Sequence, residues 1–171
     1  MKTKKVVVLP YNAEWKSNFE AIKAELLIVL DNLPISIEHV GSTSIEGLAA
    51  KPIIDIDIVI KDYSVFDYVV KALEQIGYWH RGDLGIKDRE AFGYLGKEHL
   101  QKHHLYVCPM DSKELKRHIT FRDYLREHPE AVEAYGQIKK EGARLYPDNI
   151  EEYIEYKSEF IDQIYQKCGL V

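Results

Sequence analysis

Asp55 and Asp57 flank a single isoleucine and follow a glycine-hydroxyl segment. The run reads His39-Val-Gly41-Ser42-Thr43-Ser44-Ile-Glu-Gly-Leu-Ala-Ala-Lys51-Pro-Ile-Ile-Asp55-Ile-Asp57. Alternate residues of a strand share a face, so the two carboxylates project together, while Ile54, Ile56, Ile58 and Ile60 project the other way. Their Cα atoms are then about 7 Å apart. Two unpaired carboxylates at about 5 Å repel by roughly 3 kcal/mol at an effective dielectric near ~20. A divalent cation removes that cost, and oxygen donors suit magnesium, with manganese as the alternative. The turn before them offers the complementary chemistry. Glycine allows close backbone approach, and neighbouring N–H groups and hydroxyls can cradle phosphate oxygens. Taken alone it is equally a plain Gly-Ser turn. The Gly-Lys-Ser/Thr ending of a Walker loop and the three-glycine dinucleotide pattern are both missing.

Cations are the other half of a phosphate site. Lys157 falls within an apolar stripe formed by Ile150, Ile154, Ile161, Ile164 and Cys168, where an aliphatic residue is expected. It either snorkels to solvent or meets an anion beneath its helix. Lys51, Arg89 and Arg122 are further phosphate candidates, and each could instead pair with a surface carboxylate. The basic run Lys113, Lys116, Arg117, Arg122 and Arg126 alternates with Asp111, Glu114, Asp123 and Glu127, the pattern of a solvated, salt-bridged helix rather than an RNA-binding face. Among the 7 histidines, His99, His103 and His104 lie near Cys108 but match no compact zinc spacing. The 12 tyrosines are spread through the helices and read as packing rather than a stacking platform.

These side chains need a sheet and helices to position them. Trp15, Phe19, Ile22, Leu26, Val29 and Leu33 recur at helical spacing after an Asn12 cap. A strand at 35–40, the Gly-Ser turn and the aspartate strand follow. Phe66, Val69, Leu73 and Ile76 mark a second helix, capped by Asp62 or Ser64 and stopped by Gly77. The region 78–108 is β-like, with turns at Gly82, Gly85 and Gly96, and His104-Leu-Tyr-Val-Cys108 is its clearest strand. Pro129 and Pro147 divide the remainder into helices near 112–127, 129–145 and 150–168, with Asp111/Glu114 and Asn149/Glu152 at cap spacing. Interleaved strands and helices with a helical C-terminal part predict an α+β (α/β-like) fold around a mixed sheet.

The combination of strand, Gly-Ser turn, short helical segment and Asp-x-Asp strand resembles the nucleotidyltransferase superfamily. The wording from His39 to Asp55 resembles the GrpB family, a branch of it. So do Arg89-Glu-Ala-Phe92, His104-Leu-Tyr106 and Phe121-Arg-Asp-Tyr-Leu-Arg-Glu-His-Pro129. Tyr135, Lys139, Tyr153 and Lys157 continue the likeness. The resemblance implies a nucleotidyltransferase fold and a metal-dependent transfer of a nucleoside monophosphate from an NTP to an unknown acceptor. It implies phosphates on Gly41, Ser42 and Ser44, a metal on Asp55 and Asp57, and Lys51, Arg89 and Lys157 offsetting phosphate charge. Superfamily members usually add a third carboxylate from a neighbouring strand, and the strand 103–108 has none. His104 replaces it as ligand or base, or is a histidine hydrogen-bonded beneath the sheet; Glu90 or Asp111 could also reach in. A non-catalytic nucleotide-binding module is the rival reading. A third is a partner of a coenzyme A biosynthetic enzyme, since relatives are fused to such a kinase.

Length and charge bound these readings. The 171 residues fit one domain, a sheet-containing core over 1–110 with helices over 111–171 closing a cleft. With 23 basic and 28 acidic residues the net charge is −5, which argues against nucleic acid or a membrane surface as the main partner. The basic start followed by Val-Val-Val-Leu is too short an apolar run for a signal peptide. Two cysteines make no disulfide framework, and a cytoplasmic protein is expected.

Overall fold

The computed structural model describes residues 5–170, so the basic start at 1–4 lies outside the described residues. The elements run α1 (Glu14–Leu30), β1 (Ile35–Val40), β2 (Ile54–Ile60), α2 (Phe66–Glu74), β3 (Tyr78–Gly82), β4 (Glu90–Tyr94) and β5 (His103–Pro109). Then come α3 (Lys113–Glu127), α4 (Pro129–Leu145) and α5 (Ile150–Lys167). The five strands form one sheet in the order β1-β2-β5-β4-β3. β2 and β5 are parallel and the other neighbours antiparallel, so the sheet is mixed and the fold α+β.

Period-two alternation decides which face does what. Ile54, Ile56, Ile58 and Ile60 turn to the back face, where each is at most 1% exposed. There they meet Trp15, Phe19, Ile22, Leu26 and Leu30 of α1 and Val69 and Leu73 of α2 in one apolar cluster. The Asn12 carboxamide starts α1 by accepting the Glu14 N–H at 2.9 Å. Asp62 accepts the Ser64 N–H ahead of α2. A smaller core of Ile45, Leu48, Leu125, Val132 and Tyr135 ties the segment after β1 to α3 and α4 on the other side of the sheet.

The helical part follows its expected boundaries within about a residue. Asn149 caps α5 by accepting the Glu152 N–H at 3.2 Å. For α3 the cap is Ser112 rather than Asp111, because the buried Ser112 hydroxyl reaches the Leu115 N–H. The apolar stripe of α5 is also displaced. Ile154 is 51% exposed, whereas Tyr153 and Ile164 are buried. At this point α5 docks on Gly142 of α4, where a Cβ would lie 2.9 Å from the Tyr156 ring and 3.1 Å from the Tyr153 ring. Among the described residues no helix is long and apolar enough to cross a membrane.

Candidate functional site

The site forms where β1 ends and β2 begins. Gly41 has φ +74°, a left-handed conformation that suits glycine, and a Cβ there would collide with the Asp55 carboxylate. The turn thus brings bare backbone against the first aspartate. A short 3₁₀ turn over Ser42–Ser44 follows. It is pinned from several sides. The Ser44 hydroxyl donates back to the Gly41 carbonyl, and the Arg126 guanidinium donates to the Ser44 carbonyl at 3.0 and 2.8 Å. His39 Nε2 bonds Thr43 Oγ1 at 2.9 Å while its ring stacks on Phe19. Burial, reinforced by Arg126, lowers the His39 pKa to about 4, so this histidine is a neutral strut.

Strand register then builds the front face. Asp55 stands between Val40 and His104, and Asp57 between Glu38 and Tyr106. His104 Nδ1 lies 3.1 Å from Asp55 Oδ1. A carboxylate only accepts, so Nδ1 carries the hydrogen and Nε2 is left as the ring's second nitrogen. Asp57 is fully buried. Its Oδ2 lies 2.6 Å from His118 Nδ1, while its Oδ1 has no hydrogen-bond partner. His118 Nε2 in turn meets Glu114 at 3.2 Å. Burial works against charge on His118, but the hydrogen bonds to Asp57 and Glu114 outweigh it and carry its pKa up to about 9. With acceptors on both nitrogens, His118 is an imidazolium at neutral pH.

Two carboxylates beyond the aspartate pair therefore adjoin Asp57, and both are engaged by cations. Glu38 is held by Arg122 at 2.8 Å, and Glu114 by His118. Among the described residues no group of three or more His, Cys, Asp or Glu side chains is arranged to hold a metal ion. The orphaned Oδ1 of Asp57 still fits a cation. A buried acceptor without a partner costs about 1–3 kcal/mol, and a divalent ion between Asp55 and Asp57 would remove that cost.

Beside Asp55 is a cavity of about 320 Å³, lined by Ser42, Lys51, Asp55, His104, Lys139 and Lys157 among others, whereas the buried Asp57 is not part of its lining. Lys139 is 3% exposed. Its ammonium donates to Ser42 Oγ and, at 3.1 Å, to the Ala49 carbonyl, and sits 4.7 Å from the Tyr135 ring centroid. Lys157 lies 5.0 Å from the Tyr153 ring centroid. Burial, then the charge of Lys157, holds the Lys139 pKa well below its ordinary value, and Asp55 partly offsets this. Lys157 is lowered too, mainly by burial and then despite Asp55. Two lysines kept near each other with hydroxyl, carbonyl and ring partners make a cavity that favours an anion.

The residues expected from sequence divide into two groups. Gly41, Ser42, Lys51, Asp55, His104 and Lys157 surround or adjoin the cavity. Ser44 spends its hydroxyl closing the turn. Arg89 stacks on Tyr106 at 4.4 Å instead of lining the cavity, with its buried Nε unpartnered. Of the two histidines at 103 and 104, His103 is the one beneath the sheet, bonded to the Tyr78 hydroxyl at 2.7 Å. Glu90 pairs with His80, opposite Val107 on the core side, and does not reach the aspartates. The solvated-helix reading of α3 is corrected for Arg122 and Arg126, which turn inward to Glu38, His39 and Ser44. Sequence reasoning passed over Glu38, His118 and the role of Lys139. A signal existed for α3: Glu114, His118, Arg122 and Arg126 recur every four residues, one polar helical face.

The GrpB protein family matches residues 5–167. The YqkA protein of Bacillus subtilis is 36% identical over 92% of this chain, which spans 46% of that relative's length. The glutamate-rich protein GrpB of Alkalihalophilus pseudofirmus is 33% identical, covering 93% of each chain. The crystal structure of conserved protein GrpB from Enterococcus faecalis superposes with a TM-score of 0.79 at 31% identity, over 95% of this chain and 99% of that one. The MgGTP-bound Cid1 poly(U) polymerase superposes with a TM-score of 0.56 at 10% identity, over 80% of this chain and 44% of that one. The last likeness is one of fold alone, and the fold is nucleotidyltransferase-like. The chain belongs to the GrpB family.

Proposed function

We propose that this protein binds a nucleoside triphosphate in the lysine cavity and transfers its nucleoside monophosphate to an acceptor hydroxyl, releasing pyrophosphate. The observation that carries the reading is a pair of lysines, Lys139 buried beside Ser42 and Lys157 half-buried, that line one cavity with Asp55. Ser42 and the Gly41 backbone would bind phosphate oxygens, and Lys51, Lys139 and Lys157 would offset their charge. Asp55 and Asp57 would hold Mg²⁺ or Mn²⁺, whose role is to neutralise developing negative charge at the phosphates. His104, oriented through Nδ1 by Asp55, presents Nε2 as acceptor for the proton of the attacking hydroxyl. The hydroxyl oxygen forms the new bond to the α-phosphorus, and the bond to the β-phosphate's bridging oxygen breaks.

One observation favours a second reading, a nucleotide sensor that turns nothing over. His118 already supplies a cation to Asp57, and Glu38 and Glu114 are tied up in ion pairs. Calorimetric titration with NTPs and Mg²⁺ or Mn²⁺, paired with a pyrophosphate-release assay, separates the two. Metal-dependent binding with release supports the transferase, and binding without release across a broad acceptor screen supports the sensor. In the Asp55→Asn, Asp57→Asn double variant, metal-dependent binding is expected to be lost. Unchanged binding there would remove the aspartates from the site.

A further inference from the structure

Asp57 is held through one oxygen only. Its Oδ2 takes the His118 Nδ1–H at 2.6 Å, and its Oδ1 is left as the oxygen available to a metal. His118 is itself braced, because its Nε2 meets Glu114 at 3.2 Å, and Glu114 stands one turn earlier on α3. The same face of α3 is tied to the rest of the site. Arg122 reaches Glu38 and the His39 carbonyl, and Arg126 reaches the Ser44 carbonyl. The cation on Asp57 is thus set in place by the seating of a helix. Glu114 does not answer His118 alone, since Arg117 lies 3.8 Å from it and the charge of Arg89 bears on it too. Asp55 is bonded by His104 and interacts with the charges of Lys139 and Lys157. Two carboxylates that each already answer a cation offer little to a free divalent ion. An ion complexed to a triphosphate brings further oxygen ligands and negative charge with it, and magnesium commonly binds through one or two carboxylates plus substrate phosphates.

We propose that His118, braced by Glu114, is a positioning residue that restricts Asp57 to a single metal-binding oxygen and, by its charge, makes the aspartate pair refuse a free divalent ion and accept one complexed to a triphosphate. The proposal rests on the reading that Asp55 and Asp57 hold the metal; it adds the form in which the metal arrives and the residue that sets it. By linkage, triphosphate and metal then tighten each other by the same factor.

Mn²⁺ is the probe, followed by the electron paramagnetic resonance signal of the free ion, with and without a non-hydrolysable ATP analogue. Wild-type protein is expected to bind Mn²⁺ about tenfold or more tightly when the analogue is present. His118→Asn places an uncharged amide N–H where Nδ1 stood. It should bind Mn²⁺ alone about tenfold more tightly than wild type, the order of an outer-shell contribution to metal affinity. His118→Lys restores a cation and should return to the wild-type weakness. A merely structural role for His118 predicts no gain, because a loosened fold does not tighten a metal. Adding Asp55→Asn and Asp57→Asn to His118→Asn should abolish the gain, and circular dichroism checks that each variant folds. Equal Mn²⁺ affinity in wild type and His118→Asn, a gain shared by His118→Lys, or a gain that survives loss of the aspartates overturns the proposal. Failure of the ATP analogue to bind wild-type protein overturns the transferase reading instead, and the comparison on Mn²⁺ alone still decides His118.

Discussion

The two faces of the sheet are made by the same strands and are opposites in chemistry. Behind it, Ile54, Ile56, Ile58 and Ile60 pack on α1 and α2 with almost no exposure. In front, the residues that alternate with them include two aspartates, and their strand neighbours add Glu38, His104 and Tyr106. The back face satisfies itself by dispersion and water exclusion. The front face retains unmet needs: an orphaned oxygen on Asp57, an orphaned nitrogen on Arg89, and two lysines whose ammonium groups are disfavoured by burial. A face optimised for stability would not keep these, because each costs free energy. The contrast is the reason the proposed function is assigned to the face that is unfinished.

Truncating one isoleucine and watching both faces tests the contrast most severely. Ile56→Ala is expected to cost about 2–5 kcal/mol in denaturant unfolding, as for other core truncations, with triphosphate affinity of the remaining folded protein unchanged. A loss of affinity out of proportion to unfolding would show that the faces are not separable.

On the front face His118 gives a pH signature. Its folded pKa, about 9, lies above the ordinary 6.5, so its contribution is complete below about pH 6.5 and is lost as pH rises through about 9. The contribution is on the order of 3 kcal/mol. Chemical unfolding across that range should show the decline in wild type and a flatter profile in His118→Gln.

Lys139 has the opposite sign. Because burial lowers its pKa, the unfolded chain binds more protons between the lowered value and the ordinary 10.5, so stability should rise with pH in that window. Lys139→Met should remove the rise without lowering the melting temperature near neutrality, while weakening triphosphate at least tenfold, about 1.4 kcal/mol. A variant that binds triphosphate normally would make Lys139 a structural residue after all.

Much of this contrast is legible in the sequence. The alternation from Ile54 to Ile60 identifies two faces, and the aspartates mark which one is polar. Helix boundaries were readable because Pro129, Asn149 and the apolar spacing of α1 act locally. The position of Arg89 is not legible in the sequence, because its sequence neighbours say nothing of Tyr106, its stacking partner on another strand. The exposure of Ile154 is not legible in the sequence, because the roll of α5 is set by its packing on α4, where Tyr153 and Tyr156 lie against Gly142. Glu38 stayed hidden since only the β1–β2 register sets it beside Asp57.

Sequence by itself determined the family resemblance, the paired carboxylates and the glycine-hydroxyl turn before them, because these follow from residue identity and local spacing. Tertiary structure alone decided what surrounds the pair. It placed His118 on Asp57, Arg122 on Glu38 and Lys139 under Ser42. Those contacts join residues many tens of positions apart, and their charges are set by burial and by partners that chain folding brings together.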